Sequence, residues 1–162
     1  MVSARAVAER VTDPELPILT LAELGILREV SEEDGKVIVS ITPTYLGCPA
    51  MDTMRDDLVH ALGEAGYLDV EVRTVLAPAW SSDWISERGK AKLAEAGIAP
   101  PGKAPAAAKG PVPLTLTVRD GVTCPRCGHA DTTELSRFGP SACRALRRCP
   151  GCGEPFEHMK EI

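Results

Sequence analysis

The sequence predicts an α+β protein with two domains: a small α-β-β-α-β-α unit over residues 1–97 and a cysteine-rich β unit over 114–162, joined by a linker at 98–113. Three observations predict it. An alternating strand pattern folds back at Asp34-Gly35 between stretches of helical period. Residues 98–113 are almost all Ala, Pro, Gly and Lys, which cannot build a core and bias the chain toward extended, semi-stiff structure. Finally, two Cys-x-x-Cys-Gly knuckles, Cys124–Gly128 and Cys149–Gly153, face each other across a gap of 21 residues.

Taken in order, Ala4, Val7, Ala8 and Val11 recur at helical spacing and predict a short helix over 3–11. Pro14 and Pro17 stop it, and Asp13 can bond its own backbone in an Asx-type turn, so Asp13 and Glu15 read first as turn chemistry. A helical turn is expected over 18–24, ended by Gly25. A hairpin follows, from Ile26–Val30 through the Asp34-Gly35 turn to a strand over 36–42. Ala50, Met51, Met54, Leu58, Ala61, Leu62 and Ala65 trace one face of a helix over 50–65 that Gly66 ends. A third strand is expected over 68–76, and a helix from Trp84 to Ala96 after the Ser81-Ser82-Asp83 caps. Trp80 and Trp84 read as cover for the sheet or for a dimer seam.

The loop Thr42-Pro43-Thr44-Tyr45-Leu46-Gly47-Cys48-Pro49 is the candidate working end of this domain. Pro49 fits the first helical position, where its missing N–H is no loss, and this would seat the Cys48 sulfur at a helix N-terminus that favours thiolate. Asp52, Asp56 and Asp57 oppose that negative charge, and a buried, inert cysteine at a strand-to-helix corner is the competing reading.

In the second domain, Leu114–Val118 alternates as a strand. Cys124, Cys127, Cys149 and Cys152 form one four-thiolate set, and glycine after each knuckle tolerates the left-handed turn. Zinc suits these ligands, and a rubredoxin-like iron would use the same four. A site filled by four protein sulfurs is structural, and so small a unit needs the staple to fold. His129 and His158 are poorer ligands, His60 falls on a polar helix face, and Cys143 reads as buried.

Charge narrows the partners. Residues 1–96 hold 9 Lys and Arg against 17 Asp and Glu, net −8, and residues 111–162 are net +1. An acidic first domain disfavours nucleic acid, despite Arg137, Arg144, Arg147 and Arg148. No apolar run is long enough to span a membrane and residues 1–11 lack an apolar signal core, so a cytoplasmic protein is expected, with its six cysteines used for metal or thiol chemistry rather than disulfides.

These motifs resemble a known family. Asp13-Pro14-Glu15-Leu16-Pro17, Leu24-Gly25-Ile26 and the 42–49 loop are similar to the signature of the iron–sulfur assembly domain of bacterial SufT and the eukaryotic cytosolic targeting factor. The two knuckles, Ser136–Cys143 and Glu154-Pro155-Phe156 are similar to the zinc-ribbon tail of PaaD (PaaJ), the D component of the phenylacetyl-CoA epoxidase, a ring-epoxidising multicomponent monooxygenase of phenylacetate degradation. The resemblance implies a non-catalytic accessory protein with one structural zinc in a C-terminal zinc-ribbon β domain. It implies transient handling of iron or an iron–sulfur cluster at Cys48, with Asp13, Glu15, Thr42 and Thr44 shaping the pocket. One thiolate cannot hold a cluster alone, so Cys48 would act from a homodimer, with a client or with a small thiol. The implied partners are the epoxidase components, above all the iron–sulfur reductase. A structural adaptor that docks oxygenase components without metal transfer is the alternative, and a Cys48 nucleophile lacks a partner base.

Overall fold

The computed structural model describes residues 2–105 and 121–162, so the strand expected at Leu114–Val118 lies outside the described residues. The chain divides into two compact units, one up to Lys92 and one from Leu93.

In the first unit, helix α1 (Ala4–Ala8) is capped by Ser3, whose hydroxyl accepts from the Ala6 N–H, and it buries Ala4 and Ala8. It is shorter than its apolar spacing suggests, because the chain turns at Glu9 and Arg10 and a Thr12–Thr20 bridge pulls the next segment into a hairpin-like loop. Residues 18–24 form turns and not a helix. Thr20 and Glu23 make a reciprocal capping box, with Thr20 Oγ1 accepting from the Glu23 N–H and Glu23 Oε2 from the Thr20 N–H. The Leu24 N–H reaches the Thr20 carbonyl, and left-handed Gly25 (φ 71°) then turns the chain into the sheet.

Strand β1 (Leu27–Glu33) pairs antiparallel with β2 (Lys36–Ile41) around Asp34 and Gly35, both at positive φ as a tight hairpin requires. Helix α2 (Met51–Glu64) then carries the chain over to β3 (Val70–Thr74), which lies parallel to β2 and gives the order β1-β2-β3. The core gathers Met54, Leu58 and Leu62 of α2, Val37, Val39 and Ile41 of β2, and Leu19, Leu21 and Ile26 from the preceding loop.

The last helix starts later than its sequence predicts. Ser82–Trp84 form a single 3-10 turn, Ile85 is extended, and α3 runs Glu87–Glu95 with the Ser86 hydroxyl accepting from the Gly89 N–H. Both tryptophans dock on the 24–28 stretch: Trp80 donates Nε1–H to the Leu24 carbonyl at 2.9 Å, and the Arg28 guanidinium lies 3.8 Å from the Trp84 ring centroid.

Glu23 ties this end together through Lys92 Nζ at 2.7 Å and Arg88 Nε at 3.3 Å. Burial works against its carboxylate, but the Lys92 and Thr20 hydrogen bonds and the charges of Lys92 and Arg88 outweigh it and hold the pKa below the ordinary 4.5. A carboxyl depressed on folding stabilises fully above its unfolded pKa and loses that contribution as pH falls through the folded one. Glu23→Gln should therefore cost about 1 kcal/mol at pH 7. Urea melts across the acid range should show the gap between variant and parent closing as pH drops below about 4.5.

The second unit holds a sheet ordered β4-β7-β6-β5. Strands β5 (Thr133–Ser136), β6 (Arg144–Arg148) and β7 (Pro155–Met159) are an antiparallel meander, and β4 (Ile98–Ala99) joins the edge parallel to β7. The composition-based reading of 98–113 as linker thus gives way at its start. Ala99 is small enough to pack with Cys124, Cys149 and Phe156 in the core of this unit, and two residues suffice to make a rung.

Candidate metal centre and the Cys48 loop

The two knuckles have the same backbone geometry. The Cys124 N–H donates to the His129 carbonyl and the Cys149 N–H to the Glu154 carbonyl, while the Gly128 and Gly153 N–H groups return to the carbonyls of Cys124 and Cys149. Gly128 and Gly153 sit at φ 76° and 78°, where a side chain would be strained. All four sulfurs lie within 4.8 Å of one another; Cys124–Cys152 is 3.9 Å and Cys127–Cys149 3.5 Å. A tetrahedral zinc with Zn–S bonds of about 2.3 Å needs S···S separations of about 3.8 Å, so the set fits zinc with little adjustment. Cys124 and Cys149 are buried and Cys127 and Cys152 are exposed.

Such crowding also sets the protons. Burial opposes a Cys124 thiolate, yet the N–H groups of Cys127 and Arg126 and the neighbouring thiols bring its pKa down to about 7. The His129 N–H favours a Cys127 thiolate, but the sulfurs of Cys149, Cys124 and Cys152, together with burial, outweigh it and push Cys127 up to about 12. Bound zinc supplies the positive charge that lets all four sulfurs ionise together.

The arginines between the knuckles are largely spoken for. Arg144 is buried, donating to Ser141 and pairing with Glu157 at 2.6 Å; Arg147 bonds Thr132 and Arg148 the Gly153 carbonyl. Ser141 Oγ also lies 3.0 Å from the buried Cys143 Sγ. His158 is buried with Nε2 3.1 Å from Glu161, and the His129 ring lies against Gly151. Glu157 meets Arg144 through the register of β6 on β7, which no local sequence pattern encodes, whereas Ser141 lies only three residues before Arg144.

In the first unit, β2 delivers the chain to Thr42, whose N–H donates to the Ile26 carbonyl. Its side chain is buried, and Thr42 Oγ1 has no hydrogen-bond partner among the described residues. The loop then turns through left-handed Gly47 (φ 82°), with the Cys48 N–H reaching Tyr45 and the Met51 N–H reaching the Cys48 carbonyl. Pro49 is not the first helical residue: Ala50 occupies the cap, in helical conformation and without a side-chain acceptor, and α2 begins at Met51. Cys48 therefore precedes the helix by a turn rather than sitting on it. It is 9% exposed, while Leu46 beside it is 82% exposed and Gly47 and Pro49 are open to solvent.

Asp13 is buried and accepts from the Glu15 and Leu16 N–H groups at 2.9 and 2.7 Å, the Asx-type turn expected of it. Glu15 is exposed and Thr44 half-buried. Backbone bonds from Leu21 to Val11, from Ile26 and Leu27 to Leu21, and from Thr42 to Ile26 tie the Asp13 turn to the strand that ends at the Cys48 loop.

Comparison with known proteins agrees with both halves. Residues 4–74 match the iron-sulfur cluster assembly protein family, and residues 108–160 match the PaaD zinc beta ribbon domain. The chain is 38% identical over 157 residues to an Escherichia coli (strain K12) protein provisionally named as the D component of 1,2-phenylacetyl-CoA epoxidase, covering 97% of this chain and 90% of that protein. It is 35% identical over 85 residues to the Fe-S protein maturation auxiliary factor SufT of Staphylococcus aureus (strain USA300), covering 51% of this chain and 96% of SufT. A solved DUF59 domain from Bacillus anthracis superposes with a TM-score of 0.51 at 28% identity, over 56% of this chain and 87% of that one. With an assembly domain leading into a cysteine-clamped ribbon, and a relative similar over nearly its whole length, the chain belongs to the PaaD family.

Proposed function

We propose that this protein is a non-catalytic accessory component of a phenylacetyl-CoA epoxidase in phenylacetate breakdown, and that it passes iron or an iron–sulfur cluster through Cys48 to the reductase or an oxygenase component. The observation that carries the reading is the union, in one chain, of a domain of the iron–sulfur assembly family with a ribbon of the PaaD type. The cluster is cargo here, and the zinc is a fixed part of the fold. Cys48 offers one thiolate, and a cluster takes four ligands, so the remaining ones come from the recipient or a small thiol. Asp13, Glu15, Thr42 and Thr44 shape the surroundings: Asp13 fixes the preceding turn, and the buried Thr42 hydroxyl, without a hydrogen-bond partner among the described residues, has a proton to donate without breaking another bond. The ribbon selects the recipient.

Cys48→Ser should leave one zinc per chain and the melting profile unchanged, while reductase matured beside the variant carries several-fold less cluster by its visible absorbance. Full cluster loading would remove the transfer role. The 9% exposure of Cys48 gives an adaptor reading its support: a chain that only docks oxygenase components would bind them in fixed proportion and be indifferent to Cys48→Ser.

A further inference from the structure

Among the described residues, β3 has β2 on one side and no strand on the other, and the sheet's other edge is β1. Proteins usually guard such edges with bulges, prolines or runs of charged side chains. β1 is guarded both ways, by a register break between Leu27 and Glu29 and by Glu29, Glu32 and Glu33. β3 has neither device: its five rungs on β2 run without a break, residues 68–76 contain no proline, and its charges are of opposite sign, with Glu71 already paired to Arg73 at 2.6 Å and to Lys36 at 2.7 Å within the chain.

The sequence of this open edge is self-complementary. Leu68-Asp69-Val70-Glu71-Val72-Arg73-Thr74-Val75-Leu76, laid antiparallel on itself with Val72 at the centre, sets Glu71 opposite Arg73, Val70 opposite Thr74 and Leu68 opposite Leu76. The backbone agrees with that register. Asp69 accepts from Val37 and Val75 donates to Ile41, so the peptide groups of odd-numbered residues point at β2 and those of Val70, Val72 and Thr74 point outward. An antiparallel partner centred on Val72 bonds those three residues. The flanking leucines are the other half of the case: Leu68 is 97% exposed and Leu76 57% exposed, and each would gain an apolar neighbour.

We propose that β3 is a homodimer surface, pairing with β3 of a second copy about a two-fold axis through Val72 to form one six-stranded sheet. The geometry bears on cargo handling. β2 and β3 are parallel, so both lead toward the Cys48 end of their own copy, and the two-fold turns those ends away from each other. From strand spacing and rise, the two Ile41 Cα atoms stand about 20 Å apart at opposite ends of the joined sheet. The two Cys48 loops therefore serve separate cargoes rather than sharing one cluster.

Light scattering after gel filtration of the full, zinc-loaded chain, over a dilution series, tests this. A dimer that dissociates on dilution is expected. Arg73→Glu puts carboxylates opposite each other twice and should weaken dimerisation about tenfold or more, whereas the swap Glu71→Lys with Arg73→Glu should restore it. A monomer at every concentration overturns the proposal. So does a dimer that Arg73→Glu leaves intact, or one that the swap fails to rescue while circular dichroism shows the fold unchanged. Because Cys48 is untouched, cluster transfer can succeed or fail independently of this result.

Discussion

Removing the metal should unfold the second unit and leave the first standing. Its sheet is four short strands, and its buried cluster consists of Ala99, Phe156 and two of the ligands themselves, Cys124 and Cys149, with Val122 against it. Without zinc, the two sulfurs buried in that core, those of Cys124 and Cys149, lose the ion that would tie them to the exposed Cys127 and Cys152. Structural zinc contributes about 10–16 kcal/mol in comparable small sites, more than so small a core can replace. Chelation at neutral pH, or Cys149→Ser, should thus strip hydrogen-exchange protection from β5, β6 and β7 while β2 and α2 keep theirs. The pH dependence follows from the protons: each one that zinc must displace, including that on Cys127 raised to about 12, makes apparent affinity fall about tenfold per unit of acidification. Zinc release read with a colorimetric chelator should steepen as pH drops below about 7. Protection unchanged in the zinc-free chain would mean that the ribbon has an apolar core of its own.

This staple is the part of the molecule most legible in the sequence, because its chemistry is local. Cys-x-x-Cys-Gly prescribes its own turn, and doubling it prescribes one site, as the matching bonds of Cys124 with His129 and Cys149 with Glu154 display. The Asp34-Gly35 hairpin is equally self-contained. Legibility fell where distant residues decide. Thr20-x-x-Glu23 is a genuine capping box, yet no helix follows, since Gly25 must turn the chain under Trp84. Ala99 sits in a run of prolines and alanines whose composition argues against a core, but it becomes a rung because β7 offers an edge fifty-odd residues later.

The Cys48 loop was legible in kind and not in detail. Gly47 turning left-handed was foreseeable from residue type, whereas Pro49 fits either the cap's predecessor or the first helical position by propensity alone. Pairing of Thr42 with Ile26, which decides where β2 stops and hence how far the loop must travel, depends on strand register. Burial of the Thr42 hydroxyl without a partner among the described residues could not be read at all, because it depends on everything packed around it.

Gly25→Ala should destabilise the first unit strongly although it removes no buried side chain and touches neither metal nor Cys48. A Cβ there would lie 2.6 Å from Trp84 Cβ and 2.8 Å from the Trp84 carbonyl oxygen, and φ is 71°. Neither obstacle is the far end of a flexible side chain, so relief requires moving the backbone of the 3-10 turn. That turn is fixed on both sides, by Trp80 on the Leu24 carbonyl and by the Ser86 N–H on the Glu23 carbonyl. Left-handed strain contributes about 1–2 kcal/mol and the collision adds to it, giving about 3 kcal/mol in all. For a unit of this size, that lowers Tm by about 15 °C. Gly47→Ala supplies the control: its φ is 82°, but an added Cβ meets nothing within 4 Å, so it should cost only the conformational part, about 1 kcal/mol. Tryptophan fluorescence melts of the two variants separate the contributions, since both indoles report on the unit that Gly25 organises. Equal losses from the two substitutions would mean that Trp84 yields easily, and the close approach of its backbone would not be what requires glycine at position 25.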